Sequence, residues 1–208
     1  GLLGERGVRS LFTANAVRVG GRQRPRLDAL YDEVLATMDW AVRPDLFVTQ
    51  TPFANAMAVG FDRPFIVVNS GALDLLKPDA QRVIMRHEMG HVIARHAELR
   101  AELMRNAELS DRVFTDVVSD PRAGALALAK SKLELANFSQ AQELQADAIG
   151  IRLAATAGFD PYGAARFLAT LERNAKLSRQ EAGDAGPAPD FLASHPATPE
   201  RIARALAI

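Results

Sequence analysis

The sequence predicts an α+β fold, mainly helical with one small β-sheet. Three observations carry this reading. The hydrophobic period is helical at first. It then gives way to short apolar runs bounded by Pro and Gly between residues 46 and 69. It is helical again to the end, so the order is helix, small sheet, helices.

Each element has a local reason. Residues 1–24 carry glycine and arginine ("GERGVRS", "RVGGRQR") without a clear period and read as an extended arm; residues 25–208 read as one domain. In "PRLDALYDEVLATMDW", Leu27, Leu30, Tyr31, Val34, Leu35 and Met38 have helical spacing, with Pro25 near the start. "LFVTQ" (46–50), "NAMAV" (55–59) and "FIVVN" (65–69) read as strands, and "SGALDLL" as a short helix. Pro78 opens a helix expected to run through His87, His91 and His96. Residues 99–138 read as one or two helices interrupted at "SDPRAG". "FSQAQELQADAIGIRLAATAG" follows as a helix stopped by Gly158. The next helix has Asp160 as cap and Pro161 first. Residues 178–190 form a polar Gly/Pro-rich loop, and a last helix has Thr198 capping and Pro199 first.

Composition excludes several classes. A chain that is 48% hydrophobic and 24% charged buries a core and stays soluble. Its 25 basic and 25 acidic residues cancel, which argues against a nucleic-acid partner. The absence of cysteine removes disulfides, thiolate zinc sites and thiol nucleophiles together. No apolar run reaches the ~18 residues of a membrane span, although peripheral membrane association stays compatible. The chain opens on Gly1, which suggests a signal or anchor removed upstream and leaves both cytoplasm and cell envelope open.

Three of the four histidines fall in "RHEMGHVIARH". At about 100° per residue, His87 and His91 lie about 40° apart on one helix face. His96 lies roughly 140° from His91 while the helix continues. His87-Glu88-Met89-Gly90-His91 is therefore HExxH on a helix: two imidazoles suited to tetrahedral Zn²⁺, with Glu88 beside a metal-bound water as general base. Catalytic zinc needs a third protein ligand. The pattern HExxHxxGxxH fails, because Ala94 and Ala97 occupy its last two positions. A glutamate on a later helix is the other option, and "ELQAD" supplies Glu143. Asp147, one turn on, would accept the outer N–H of a ligand histidine, His87. In "SHPATPER", His195 precedes a proline and is extended. His195 and Arg201, brought over the metal, would stabilise a tetrahedral oxyanion.

Taken together, "NAMA" (55–58), "HEMGH" (87–91), "ELQAD" (143–147) and "SHP…R" (194–201) resemble the HtpX and CAAX-prenyl-protease type of zinc metallopeptidases, within the gluzincin group. The resemblance covers residues 25–208. It implies a zincin-like fold, one Zn²⁺ per chain, Glu143 as third ligand, and His195 and Arg201 as the family's late His and Arg. Many members carry transmembrane helices around this domain. Their absence here points to the soluble or peripheral members associated with protein quality control. Extended peptides bind zincins by pairing with an exposed sheet edge. Asn55, Ala56, Met57 and Ala58 are the candidate edge strand, in which Asn55, Ala56 and Ala58 are small, so a substrate backbone could come close.

The expectation is a zinc-dependent endopeptidase acting on peptide or unfolded-protein substrates. The metal is held by His87, His91 and Glu143, with Glu88, His195 and Arg201 catalytic and Asp147 orienting a ligand. The competing reading is a non-catalytic, zinc-stabilised binding module for unfolded chains. Glu88 separates the two, because a structural site needs ligands but no base.

Overall fold

The runs Leu46–Val48 and Phe65–Val68 are continuously apolar because both faces of their sheet are covered. The computed structural model describes residues 5–52, 54–60, 62–105, 121–182, 195 and 199–207. Along the chain these form α1 (Glu5–Asn15), β1 (Ala16–Arg18), α2 (Pro25–Met38), β2 (Asp45–Thr49), β3 (Ala56–Val59) and β4 (Phe65–Asn69). There follow α3 (Ser70–Leu75), α4 (Pro78–Ile93), α5 (96–105), α6 (Pro121–Thr156), α7 (Gly163–Ala182) and α8 (Pro199–Ala207).

The sheet order is β1-β2-β4-β3, with β2 and β4 parallel and the outer pairs antiparallel. Leu46, Val48, Ile66, Val68 and Ala56 face one way, into a core shared with Leu30, Tyr31 and Val34 of α2 and Ile84, Met85 and Met89 of α4. Phe47, Phe65 and Val67 face the other way, against Val8 and Phe12 of α1. All six apolar positions expected of α2 are buried.

The first 24 residues differ from the extended arm expected of them. Glu5–Asn15 is a helix and Ala16–Arg18 pairs with β2 as an edge strand. The reason is tertiary. Val8 and Phe12, one turn apart, make a stripe too narrow to show a period, yet it closes the second face of the sheet, with the Phe12 and Phe65 rings 5.5 Å apart. Complete burial of Phe65 stabilises by roughly 1.5–3 kcal/mol.

α4 lies at the centre and contacts α2, α6, α7 and β3. Every residue from Ile84 to Val92 is buried. Charged groups on such a helix are costly unless partnered or used. The helix does not run through His96 as expected. Ala94 caps it, and Arg95 turns the chain in the left-handed region at φ 55°. That conformation costs a non-glycine residue roughly 1–2 kcal/mol. α5 then starts with His96 folded back towards α4.

α6 begins at Pro121, inside "SDPRAG", and runs unbroken to Thr156; Gly158 (φ 81°) follows it. Asp160 Oδ1 accepts the Tyr162 N–H at 2.9 Å, and regular helix starts at Gly163, two residues after the expected Pro161. Residues 178–182, expected as loop, still belong to α7. The rest of that loop and the Thr198 cap lie outside the described residues.

Candidate metal centre

Two helices make the site, and two small residues let them. Where α4 crosses α6, Gly90 lies directly against Ala146. A Cβ built on Gly90 would meet the Ala146 carbonyl oxygen at 2.7 Å and its Cα at 2.9 Å. The close approach sets Glu143 and Asp147, one turn apart on α6, opposite His87 and His91, one turn apart on α4. Neither Gly90 nor Ala146 carries chemistry of its own, so the metal motifs do not mark either as part of the site.

Three donors form a triangle. His87 Nε2 and His91 Nε2 are 3.1 Å apart. Glu143 Oε2 is 3.2 Å from the first, and its Oε1 3.3 Å from the second. A tetrahedral ion with bonds of ~2.0–2.1 Å holds its donors about 3.3–3.4 Å apart, so these residues fit such an ion. The donor of His195 joins them, and all four atoms lie within 4.8 Å of one another. The sequence motifs thus converge in space, although 52 positions separate His91 from Glu143.

The outer nitrogens are also engaged. His87 Nδ1 meets Asp147 Oδ1 at 2.9 Å, the contact expected of Asp147. His91 Nδ1 meets His96 Nδ1 at 2.8 Å. The helical-wheel separation of His96 is overturned by the turn at Arg95. No Gly or Pro marks that turn, so only the fold could reveal it.

Arg201 sits differently from its expected place over the metal. It is 2% exposed. Its Nε and Nη2 grip both oxygens of Asp147 at 2.7 and 3.0 Å, and its Nη1 lies 3.1 Å from Glu143 Oε2. The guanidinium is engaged by two carboxylates, bidentately by Asp147, an arrangement that carboxylates favour. His195 does face the centre, with its ring 5.2 Å from that of His87 and its Nε2 3.5 Å from Glu88 Oε1.

Glu88 is fully buried, and neither carboxylate oxygen has a well-formed hydrogen bond. Burial pushes its carboxyl up to about 7, with Glu143 adding to the rise and His87, the Ala58 amide and Arg201 opposing it. Burial disfavours an imidazolium at His87, but the hydrogen bonds to Asp147 and Glu143 outweigh it and lift His87 to about 10. Burial lowers His91 to about 4. Burial would raise Glu143, but its close contacts with His87 and His91, and the charge on His87, hold it well below the usual carboxylate range.

The centre opens on a cleft of about 470 Å³, lined by Glu88, His91, Glu143 and His195 on one side and by Met57 to Gly60 on another. β3 is the sheet's edge, as expected. The Asn55 carbonyl accepts from Asn69, so the backbone N–H and C=O groups of residues 55, 57 and 59 point to β4, and those of Ala56 and Ala58 point away from the sheet edge. The Ala56 N–H is taken by Asn55 Oδ1 at 2.8 Å, and the Ala58 amide points towards Glu88.

These protonation states give a measurable result. Between about pH 7 and pH 10, His87 holds a proton in the metal-free protein that a metal must displace. At about pH 8.5, Zn²⁺ binding should release about one proton, and apparent affinity should rise about tenfold per pH unit. Calorimetry in buffers of different ionisation enthalpy reads the proton count; zero release would contradict a protonated His87 in the metal-free protein, whether or not His87 is a ligand.

A model of peptidase family M48 matches residues 22–208. The chain is 33% identical over 161 residues to mitochondrial metalloendopeptidase OMA1 of Arabidopsis thaliana, a match covering 76% of this chain and 30% of that protein. It is 32% identical over 132 residues to the β-barrel assembly-enhancing protease of Escherichia coli strain K12, covering 59% of this chain and 26% of that one. Metalloprotease LoiP of the same strain is 31% identical over 154 residues, with coverage of 71% and 55%. This chain thus spans less than a third of the first two relatives. The family match runs from the turn before α2 to the last residue, and so takes in both helices that cross at Gly90 and the edge strand beside them: the chain belongs to peptidase family M48.

Proposed function

We propose that this chain is a zinc-dependent endopeptidase domain, with residues 25–208 as the catalytic unit, acting on extended or unfolded protein segments in protein quality control. Family membership makes it a metalloprotease; the metal's identity, the residue roles and the substrate are the proposal. The observation that carries it is the donor triangle with a buried Glu88 beside it whose oxygens lack a well-formed hydrogen bond, open to a cleft bordered by a strand edge. Two imidazoles and a carboxylate are a donor set that suits zinc.

When bound, Zn²⁺ would polarise the scissile carbonyl and acidify the attacking water. Glu88 takes the proton from that water and passes it to the leaving amine. Burial keeps His195 neutral, and its N–H donates to the oxyanion. Arg201 pairs with Asp147 and Glu143 and keeps Glu143 aimed at the metal. The outward edge of β3 at Ala58 receives the substrate backbone. No helix among the described residues is long and apolar enough to cross a membrane.

The test is metal analysis together with hydrolysis of a casein-type substrate. The wild type should carry about one zinc per chain and lose activity to a chelator. Glu143→Ala should weaken zinc binding by more than the roughly 10–100-fold typical of an outer partner. Full zinc and full activity in that variant would remove Glu143 from the ligand set. A zinc-loaded wild type without hydrolysis would favour the binding-module reading.

A further inference from the structure

We propose that His96 fixes the metal-binding tautomer of His91, and that Gln145 fixes that of His96. The proposal rests on the reading of His87, His91 and Glu143 as metal ligands, and concerns how one of them is prepared.

Two Nδ1 atoms face each other at 2.8 Å, His91 on α4 and His96 on α5. In a neutral pair, one nitrogen carries the proton and the other accepts it. The choice is made at the far side of His96, whose Nε2 lies 3.0 Å from Gln145 Oε1. An amide oxygen only accepts, so His96 Nε2 carries its proton and His96 Nδ1 is bare. That bare nitrogen accepts from His91 Nδ1–H. His91 Nε2 is then bare as well, and it is the atom that faces Glu143 and His87. The chain Gln145–His96–His91 thus leaves a lone pair where a metal needs one.

The rest of the local structure serves this placement. His96 is 3% exposed, and the left-handed turn at Arg95 is what brings it back under His91. Strained backbone of this kind persists where surrounding structure holds it, often beside functional sites. Here the Gln142 side-chain amide donates to the His96 carbonyl at 3.0 Å, and Arg100 donates to Gln142 Oε1 at 3.3 Å. With its oxygen engaged by the guanidinium, Gln142 must present its NH₂ to His96. The four residues from Gln142 to Gln145 therefore supply a ligand, Glu143, and both supports of His96. His87 is oriented by a carboxylate and His91 by a neutral ring, so only one ligand histidine is paired with charge on its outer side.

His96 is a positioning residue in this scheme, and the experiment asks whether its acceptor atom matters or only its bulk. Zn²⁺ affinity is measured by competition with a chromogenic chelator for the wild type, His96→Ala and His96→Asn. The asparagine places Oδ1, an acceptor, near the position of His Nδ1. His96→Ala should bind Zn²⁺ roughly 10–100-fold more weakly, the usual range for an outer partner, and His96→Asn should recover most of the loss. Nitrogen-15 NMR of the zinc-loaded wild type should show His91 protonated on Nδ1 with a slowly exchanging proton, and His96 protonated on Nε2. Gln145→Leu, at an exposed position, should remove the preference at His96 without unfolding the helix. Unchanged affinity in His96→Ala, equal losses in the Ala and Asn variants, or His96 protonated on Nδ1 would each overturn the proposal. A wild type that fails to bind Zn²⁺ would instead sink the metal-centre reading itself.

Discussion

Glu88→Gln is expected to keep the wild-type metal content and to hydrolyse peptide about 10²–10⁴-fold more slowly, the contribution of a positioned general base. The side chains match in size, so the change removes charge and basicity and little else. Glu88 takes no part in the triangle of His87, His91 and Glu143, so the metal should stay. A carboxylate retained for structure would have its oxygens satisfied. Those of Glu88 are buried without a well-formed hydrogen bond, with the Ala58 amide and His195 Nε2 only nearby. The same burial gives a second, opposite effect on stability. A group raised from 4.5 to about 7 favours the fold fully below about 4.5, and that contribution is lost as pH rises through about 7. Above neutrality the metal-free protein therefore carries an ionised, desolvated carboxylate. Gln removes it, so metal-free Glu88→Gln should unfold at higher denaturant than wild type at about pH 8, by on the order of 2–3 kcal/mol. Metal content, turnover and denaturant midpoint together decide the matter. Full turnover in the variant would remove Glu88 as the base.

The parts of this molecule legible in the sequence are those set by local spacing. The stripe of α2 could be read because six apolar residues repeat at helical spacing, and all six are buried. His87 with His91, and Glu143 with Asp147, could be read because four residues on a helix bring side chains to one face. The illegible parts depend on what another segment does. Val8 and Phe12 matter only because the far face of the sheet needs cover. His96 depends on a reversal at Arg95, where no glycine announces positive φ. Arg201 has the right chemistry to stabilise an oxyanion, but α8 delivers its guanidinium to Asp147 and Glu143. Residue type fixed what each group could do; the crossing of helices decided which way it points.

That crossing can be tested at Gly90, where two general effects disagree in sign. Helix propensity favours Ala over Gly by about 1 kcal/mol in a helix interior, so Gly90→Ala would stabilise an isolated α4. In the folded chain the new methyl would lie 2.7 Å from the Ala146 carbonyl oxygen and 2.9 Å from its Cα. Both are backbone atoms, so no side chain can rotate away, and α4 and α6 must move apart. Overpacking of this kind costs typically 1–3 kcal/mol, and more where the obstacle is rigid. The packing term should win. Gly90→Ala is expected to be destabilised by about 2 kcal/mol net, a fall in Tm of roughly 4–8 °C for a chain of this size. Gly90→Val, larger and β-branched, should fail to fold as a metal-binding protein. The separation also opens the triangle, since His87 and His91 ride on α4 while Glu143 rides on α6. Zinc affinity of Gly90→Ala should therefore fall although no ligand has changed. Gly20→Ala is the control, with nothing within 4 Å of the added carbon; it should stay within about 0.5 kcal/mol of wild type. A rise in Tm for Gly90→Ala with unchanged zinc affinity would mean that propensity governs this position and that the small pair does not set the geometry of the site.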